Sequence, residues 1–80
     1  MLIKIIGSGC MNCKKLYEAA SQAAMELGVP AELVKVEDLK EIMSYGIMRT
    51  PGLVINEKVK VYGKVPGVEE IKKYIQEEME

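Results

Sequence analysis

The chain contains two cysteines, Cys10 and Cys13, and they are separated by two residues at the start of a helical pattern. At this spacing two thiols can close a small disulfide ring, or two thiolates can bind a soft metal ion. The first thiol is expected near unpaired N–H groups at the positive end of a helix, where an anion is stabilised. Lys14 and Lys15 add positive charge nearby. We therefore expect Cys10 to ionise more readily than an ordinary cysteine, as a redox-active thiol does.

Composition excludes several other kinds of chemistry. The sequence has no histidine, which removes Cys–His nucleophilic catalysis and His-ligated zinc. The net charge of −1 arises from 11 basic and 12 acidic residues mixed along the chain, so no basic surface for nucleic acid is expected. The segment Gly7-Ser8-Gly9 lacks the third glycine of a dinucleotide fingerprint and the Gly-Lys-Ser/Thr of a phosphate-binding loop. We expect no cofactor.

The length predicts a single domain over residues 1–80, which would bury only about 60% of the surface of its unfolded chain. The first apolar run, Leu2–Ile6, is five residues long and includes Lys4, so it is too short for a signal peptide or a membrane span. Two cysteines are too few for a small secreted disulfide scaffold. We therefore expect a cytoplasmic protein with no membrane partner and cysteines that serve chemistry.

The elements that must position the cysteines can be predicted in order. Residues 2–6 are nearly continuously apolar, which is typical of a central strand. Helical spacing of apolar residues runs from Cys13 to Leu27 and is stopped by Gly28 and Pro30. A second strand is predicted over residues 31–36. A short helix then follows Asp38 as its cap and ends at Gly46, with three apolar residues on one face: Leu39, Ile42 and Met43.

The second half of the chain predicts a hairpin and a final helix. The turn is placed at Asn56-Glu57, between residues 53–55 and 58–62. Strict alternation in the second strand would put Val59 and Val61 on one face, and the other face would carry Lys58, Lys60 and Tyr62. The last helix should bury one face, formed by Val68, Ile71, Ile75 and Met79. The predicted fold is α/β, in the order β-α-β-α-β-β-α with a four-stranded mixed sheet.

This pattern resembles the thioredoxin-fold superfamily in its minimal, glutaredoxin-sized form, and in particular the small thioredoxin-like group called redox-active disulfide proteins. The resemblance covers essentially the whole chain. It is carried by the Gly-x-Gly-Cys-x-x-Cys motif, a proline-glycine after the second helix and a glycine before the last helix. The matching residues are Gly7, Gly9, Cys10, Cys13, Pro51, Gly52 and Gly63.

The resemblance implies a thiol–disulfide oxidoreductase that acts on protein disulfides and is recharged by a separate reductase. It implies that Cys10 attacks, that Cys13 resolves and that Pro51 is a cis-proline facing them. The residues implied to contact substrate are Met11, Asn12, Arg49, Thr50, Pro51 and Gly63. One departure concerns the position six residues before the first cysteine, where larger thioredoxins have a buried aspartate and this chain has Lys4.

Two alternatives follow from the same residues. Two thiolates also suit Cu(I), so a copper-type carrier is one alternative, and a binding module of thioredoxin-like fold without catalysis is the other. Copper carriers have a methionine two residues before the first cysteine, where this chain has Ser8, and their order is β-α-β-β-α-β. We expect the protein to be a monomer.

Overall fold

The computed structural model describes residues 1–7 and 11–79, and the elements in these ranges follow the predicted order β-α-β-α-β-β-α. Cys10 lies outside the described residues. The elements are β1 Leu2–Ile6, α1 Met11–Leu27, β2 Glu32–Val36, α2 Leu39–Ser44, β3 Gly52–Ile55, β4 Lys58–Tyr62 and α3 Val68–Glu77.

The four strands form one mixed sheet in the order β2-β1-β3-β4. Strand β1 is parallel to β2 and antiparallel to β3, and β3 and β4 form the predicted antiparallel hairpin. Because β1 is central, both faces of the strand are covered, and Ile3, Ile5 and Ile6 are all buried. The nearly continuous apolar run at residues 2–6 is thus explained by the burial of both faces of this central strand.

Helices cover both faces of the sheet. Ile5 and Ile6 are neighbours on β1 and so point to opposite faces, and they belong to two different cores. The core on the Ile5 face joins the sheet to α1 and α3, with Ala20, Ala23 and Ala24 allowing close packing; its other buried members are Ile3, Leu16, Leu53, Ile55, Ile71 and Ile75. The core on the Ile6 face consists of Ile6, Val36, Ile42, Ile47 and Val54.

Helix α2 begins as predicted but buries less than predicted. The Asp38 carboxylate accepts a hydrogen bond from the Lys40 backbone N–H at 3.1 Å, which caps the helix. Of the three apolar residues expected on one buried face, only Ile42 is buried, whereas Leu39 and Met43 are 69% and 66% exposed. The helix has six residues, so one inward side chain is enough to seat it on the sheet.

The predicted alternation along β4 is wrong, because the strand contains a bulge. Leu53 pairs with Val61 and the next residue, Val54, pairs with Val59, so Lys60 is an extra residue in β4. The bulge sends Val61 to the α1–α3 face, where it packs on that core, while Val59 lies on the α2 face and is 38% exposed.

The last helix ends earlier than its apolar pattern suggested. Helix α3 ends at Glu77, so Met79 lies beyond it and is 55% exposed. Ile71 and Ile75 are fully buried as predicted, and Val68 packs partly on the same core.

Candidate active site

Gly7 allows the thiol of Cys13 to approach the end of β1. The Gly7 N–H donates to Val36 O at 2.9 Å, which continues the parallel pairing one residue beyond the strand. A β-carbon at position 7 would overlap Cys13 Sγ and would lie 3.6 Å from Thr50 Cβ. Cys13 is 6% exposed. Cys13 and Thr50 therefore both lie beside a backbone position that has no side chain.

The loop before β3 brings three further candidate residues together. The Thr50–Pro51 peptide bond is cis, as the resemblance implied, and Pro51 is buried while Thr50 is exposed. The Gly63 N–H donates to Pro51 O at 2.8 Å. Arg49 lies along Gly63, since a β-carbon there would be 3.4 Å from Arg49 Cβ, and Gly63 has a φ of +81°. Arg49, Pro51 and Gly63 thus lie together next to Thr50.

Met11 and Asn12 occupy the first turn of α1 and are exposed, Met11 by 73%. Within the residues that the structure describes, neither of them takes part in the contacts given above around Gly7 or around Pro51. Cys10 precedes them and lies outside the described residues, so its role stays a prediction.

A cleft of about 110 Å³ opens beside Cys13. Its walls are Ile5, Gly7, Cys13, Lys14, Lys35 and Glu37. Of these, Lys35 and Glu37 on the β2 side were missed as candidate site residues. Their place beside Cys13 depends on the pairing of β1 with β2, in which Ile5 lies opposite Lys35, and Gly7 and Glu37 each follow two positions later in the chain.

An apolar groove of about 430 Å³ lies on the α2 side of the same region. Met48 is 88% exposed at this groove, next to the exposed Leu39 and Met43. The groove is lined by Glu37, Leu39, Ile42, Met43, Ile47, Met48 and Thr50. Thr50 and Glu37 therefore connect the groove to the surroundings of Cys13.

Lys4 is used elsewhere in the fold. Its Nζ lies 2.7 Å from Glu57 Oε1 and donates to the Tyr45 hydroxyl at 2.5 Å. The hydrogen bond to Glu57 raises the pKa of Lys4, and the same bond lowers the pKa of Glu57. Lys4 thus joins β1 to the hairpin turn and to the end of α2.

Two general properties concern the described residues as a whole. None of their helices combines the length and apolar character that crossing a membrane would require. Within the same ranges, no three or more cysteine, aspartate or glutamate side chains gather as a metal site.

Comparisons with known proteins agree with this geometry. A family model described as thioredoxin domain matches residues 1–76. A thioredoxin of Methanothermobacter thermautotrophicus is 40% identical over 75 residues, covering 94% of this chain and 97% of that protein. A thioredoxin of Methanocaldococcus jannaschii is 40% identical over 80 residues, covering 100% of this chain and 92% of that protein. A probable thioredoxin of Archaeoglobus fulgidus is 39% identical over 69 residues, covering 82% and 75% respectively.

Proposed function

Because the chain belongs to the thioredoxin domain family and is a protein disulfide oxidoreductase, we propose that Cys10 is its attacking thiol and Cys13 its resolving thiol. The observation that carries this assignment is the burial of Cys13 beside Gly7. A buried sulfur is poorly accessible to a second protein, but it can react with a sulfur three positions earlier in the same chain. The outer cysteine of the pair is then the one that meets substrate.

The exchange takes place in two displacements. The Cys10 thiolate attacks one sulfur of the substrate disulfide, so that a mixed disulfide forms and the other substrate sulfur leaves as a thiolate. The Cys13 thiolate then attacks Cys10 Sγ, forms the Cys10–Cys13 disulfide and releases the second substrate thiolate. Two electrons pass to the substrate, whose thiolates take up two protons.

Substrate is held by the loop around Pro51 and by the apolar groove. An extended substrate segment pairs with the peptide group before Pro51, with Arg49 and Gly63 on one side and with Met11 and Asn12 near the attacking thiol. Met48, Leu39 and Met43 are exposed apolar side chains beside Thr50. They offer contacts for apolar residues that flank the substrate cysteine, which a small disulfide would not use.

The partners are protein disulfides and a separate reductase that returns the Cys10–Cys13 disulfide to the dithiol. We propose that the protein is a monomer of one domain and acts in the cytoplasm, where such a reductase keeps thiols reduced.

The experiment is an insulin reduction assay with dithiothreitol as the electron source. The wild type should accelerate reduction, and Cys10→Ser should reduce the rate to that of dithiothreitol alone. Cys13→Ser, reduced and then freed of dithiothreitol, should accumulate a mixed disulfide with insulin, visible by non-reducing electrophoresis and mass spectrometry. Turnover that is independent of both cysteines would refute the assignment.

A further inference from the structure

We propose that Arg49 selects protein disulfides in which an acidic residue flanks the cysteine that Cys10 attacks. This inference rests on the proposed function, because it concerns the substrates that the oxidoreductase reduces. Arg49 directly precedes Thr50 and Pro51, whose peptide group is proposed to pair with an extended substrate segment. A long side chain at this position can reach the substrate residues on either side of the reacting cysteine.

The position of the Arg49 side chain is set by Gly63. A β-carbon at position 63 would lie 3.4 Å from Arg49 Cβ and 3.6 Å from Arg49 Cδ, so the aliphatic part of the arginine runs along the glycine. Gly63 is tied to the same loop, because its N–H donates to Pro51 O at 2.8 Å. A side chain that is already packed along a fixed backbone loses less conformational entropy when it binds a ligand.

The guanidinium of Arg49 is available to a substrate. Arg49 is exposed, and within residues 1–7 and 11–79 its side chain forms no ion pair or hydrogen bond. Several lysines in the same ranges do have carboxylate partners: Lys4, Lys58, Lys60, Lys64 and Lys72. A guanidinium can donate two parallel hydrogen bonds to one carboxylate, so aspartate and glutamate are the side chains that it binds best.

The charges near Thr50 define the side on which an acid is favoured. Among the described residues that line the apolar groove, Glu37 is the one charged side chain, and it would repel a second carboxylate there. On the other side, Gly63 is followed by Lys64, a second cation, whose partner Glu70 lies 3.7 Å away. An acidic residue is therefore favoured on the Gly63 side and disfavoured in the groove.

Met48 and Arg49 are neighbours in the chain with different surroundings. Met48 lines the apolar groove, whereas Arg49, which is not one of the described residues lining that groove, packs along Gly63. A substrate segment that crosses Thr50 would have Met48 beside one flanking residue and Arg49 beside the other. The preferred substrate is thus a protein disulfide whose cysteine has an apolar residue on one side and aspartate or glutamate on the other.

The test compares three matched peptide disulfides as substrates of the reduced protein, freed of dithiothreitol. Each peptide is a dimer linked through one cysteine, with leucine on one side of the cysteine and glutamate, glutamine or lysine on the other, and both orders are made. Acid quenching and chromatography give the rate constant, which is divided by that for dithiothreitol to correct for the reactivity of the peptide. In one order, the wild type should prefer glutamate over glutamine about threefold, as expected of one exposed ion pair, and should disfavour lysine.

Three variants of Arg49 assign the preference to this side chain. Arg49→Gln should bring the ratio of the glutamate and glutamine rates close to one, and Arg49→Glu should favour the lysine peptide. Arg49→Lys should keep part of the preference, because an ammonium group keeps the charge but not the paired hydrogen bonds. Since the ratio compares two peptides in the same variant, a general change in reactivity cancels.

Two lysine variants make the same change in net charge elsewhere. Lys58→Gln removes a cation at the end of β4 far from Gly63, and Lys14→Gln removes one that lines the cleft beside Cys13. Both variants should keep the wild-type ratio.

Each outcome bears on one hypothesis. Equal rates for the three peptides in the wild type would overturn the role of Arg49, as would a preference that survives Arg49→Gln or is lost in either lysine variant. Peptide disulfides that the wild type does not reduce, or that Cys10→Ser reduces equally fast, would instead refute the proposed function.

Discussion

The Sγ atom of Cys13 fills the space that a β-carbon on Gly7 would require. Gly7→Ala should therefore force the thiol or the start of α1 to move, with a loss of about 1–3 kcal/mol in the free energy of unfolding, as overpacking typically costs. Urea denaturation of the reduced protein measures this loss.

The matched background for this change is Cys13→Ala, which removes the sulfur and keeps the β-carbon. In that background Gly7→Ala should cost less, because Cys13 Cβ and Thr50 Cβ would remain at ordinary contact distances of 3.5 and 3.6 Å, and the cost that remains is the backbone strain of an alanine at the Gly7 φ of +158°. Equal costs in both backgrounds would show that the contact with Sγ does not set the requirement for glycine.

The two cysteines should differ in their reaction with iodoacetamide. We expect Cys10 to be labelled first at neutral pH, because in the sequence it directly precedes the first residue of α1, whereas Cys13 is buried and its burial opposes ionisation. Peptide mass spectrometry at successive times measures the two rates. Equal rates, or faster labelling of Cys13, would reverse the proposed roles.

Met48 should matter for protein substrates but not for small disulfides. Met48→Ser removes an apolar side chain that is 88% exposed beside Thr50, so folding should be little affected. We expect KM for insulin to rise about fivefold, which corresponds to roughly 1 kcal/mol of lost contact, with no change toward dithiobis(nitrobenzoate). Met25→Ser, at a methionine 76% exposed on α1, is the control and should change neither. Equal effects on both substrates would argue against docking in the groove.

The Lys4–Glu57 pair should make stability depend on pH in a defined window. The pKa of Glu57 is lowered by Lys4, so the contribution is complete above the ordinary value of 4.5 and is lost as pH falls through the lower folded value. The pKa of Lys4 is raised by Glu57, so the contribution is complete below 10.5 and is lost as pH rises through the higher folded value. Glu57→Gln should lower Tm between these limits and have a vanishing effect in strong acid.

Lys4→Met is the background that isolates this pair. There Glu57→Gln should lose its effect on Tm across the whole range, although Tyr45 still donates to Glu57 at 3.3 Å. A Glu57→Gln effect that persists without Lys4 would assign the stabilisation to Tyr45 instead.

The order of elements could be predicted because each step depends on local sequence. Continuous apolar residues define the central strand, Asp38 caps α2 through its own carboxylate, and the turn residues Asn56 and Glu57 adopt φ values of +51° and +68°. Features of this kind are decided within a few residues of the chain.

The cleft and the groove could not be read from local pattern, because both depend on which residues of distant segments face one another. Glu37 acquires its place from the parallel register of β1 and β2, a pairing of residues about 30 positions apart. Leu39 and Met43 have the spacing of a buried face, yet of the three apolar residues only Ile42 packs into the core under α2. The bulge at Lys60 likewise adds one residue to β4, and an alternating pattern of apolar and polar residues does not predict it.

The bulge at Lys60 also bears on edge-to-edge strand pairing between copies of the protein. The outer rim of β4 faces solvent, and a regular rim would invite a strand from another chain. Lys60 interrupts the spacing of the backbone donors and acceptors, and its Nζ is held 2.7 Å from Glu78 Oε2 at the end of α3. A strand from another copy would find the backbone hydrogen-bonding groups of β4 irregularly spaced, and it would find Lys60 already paired with Glu78. We expect the extra residue to disfavour pairing of β4 with a strand of another copy and so to oppose growth of an extended intermolecular sheet.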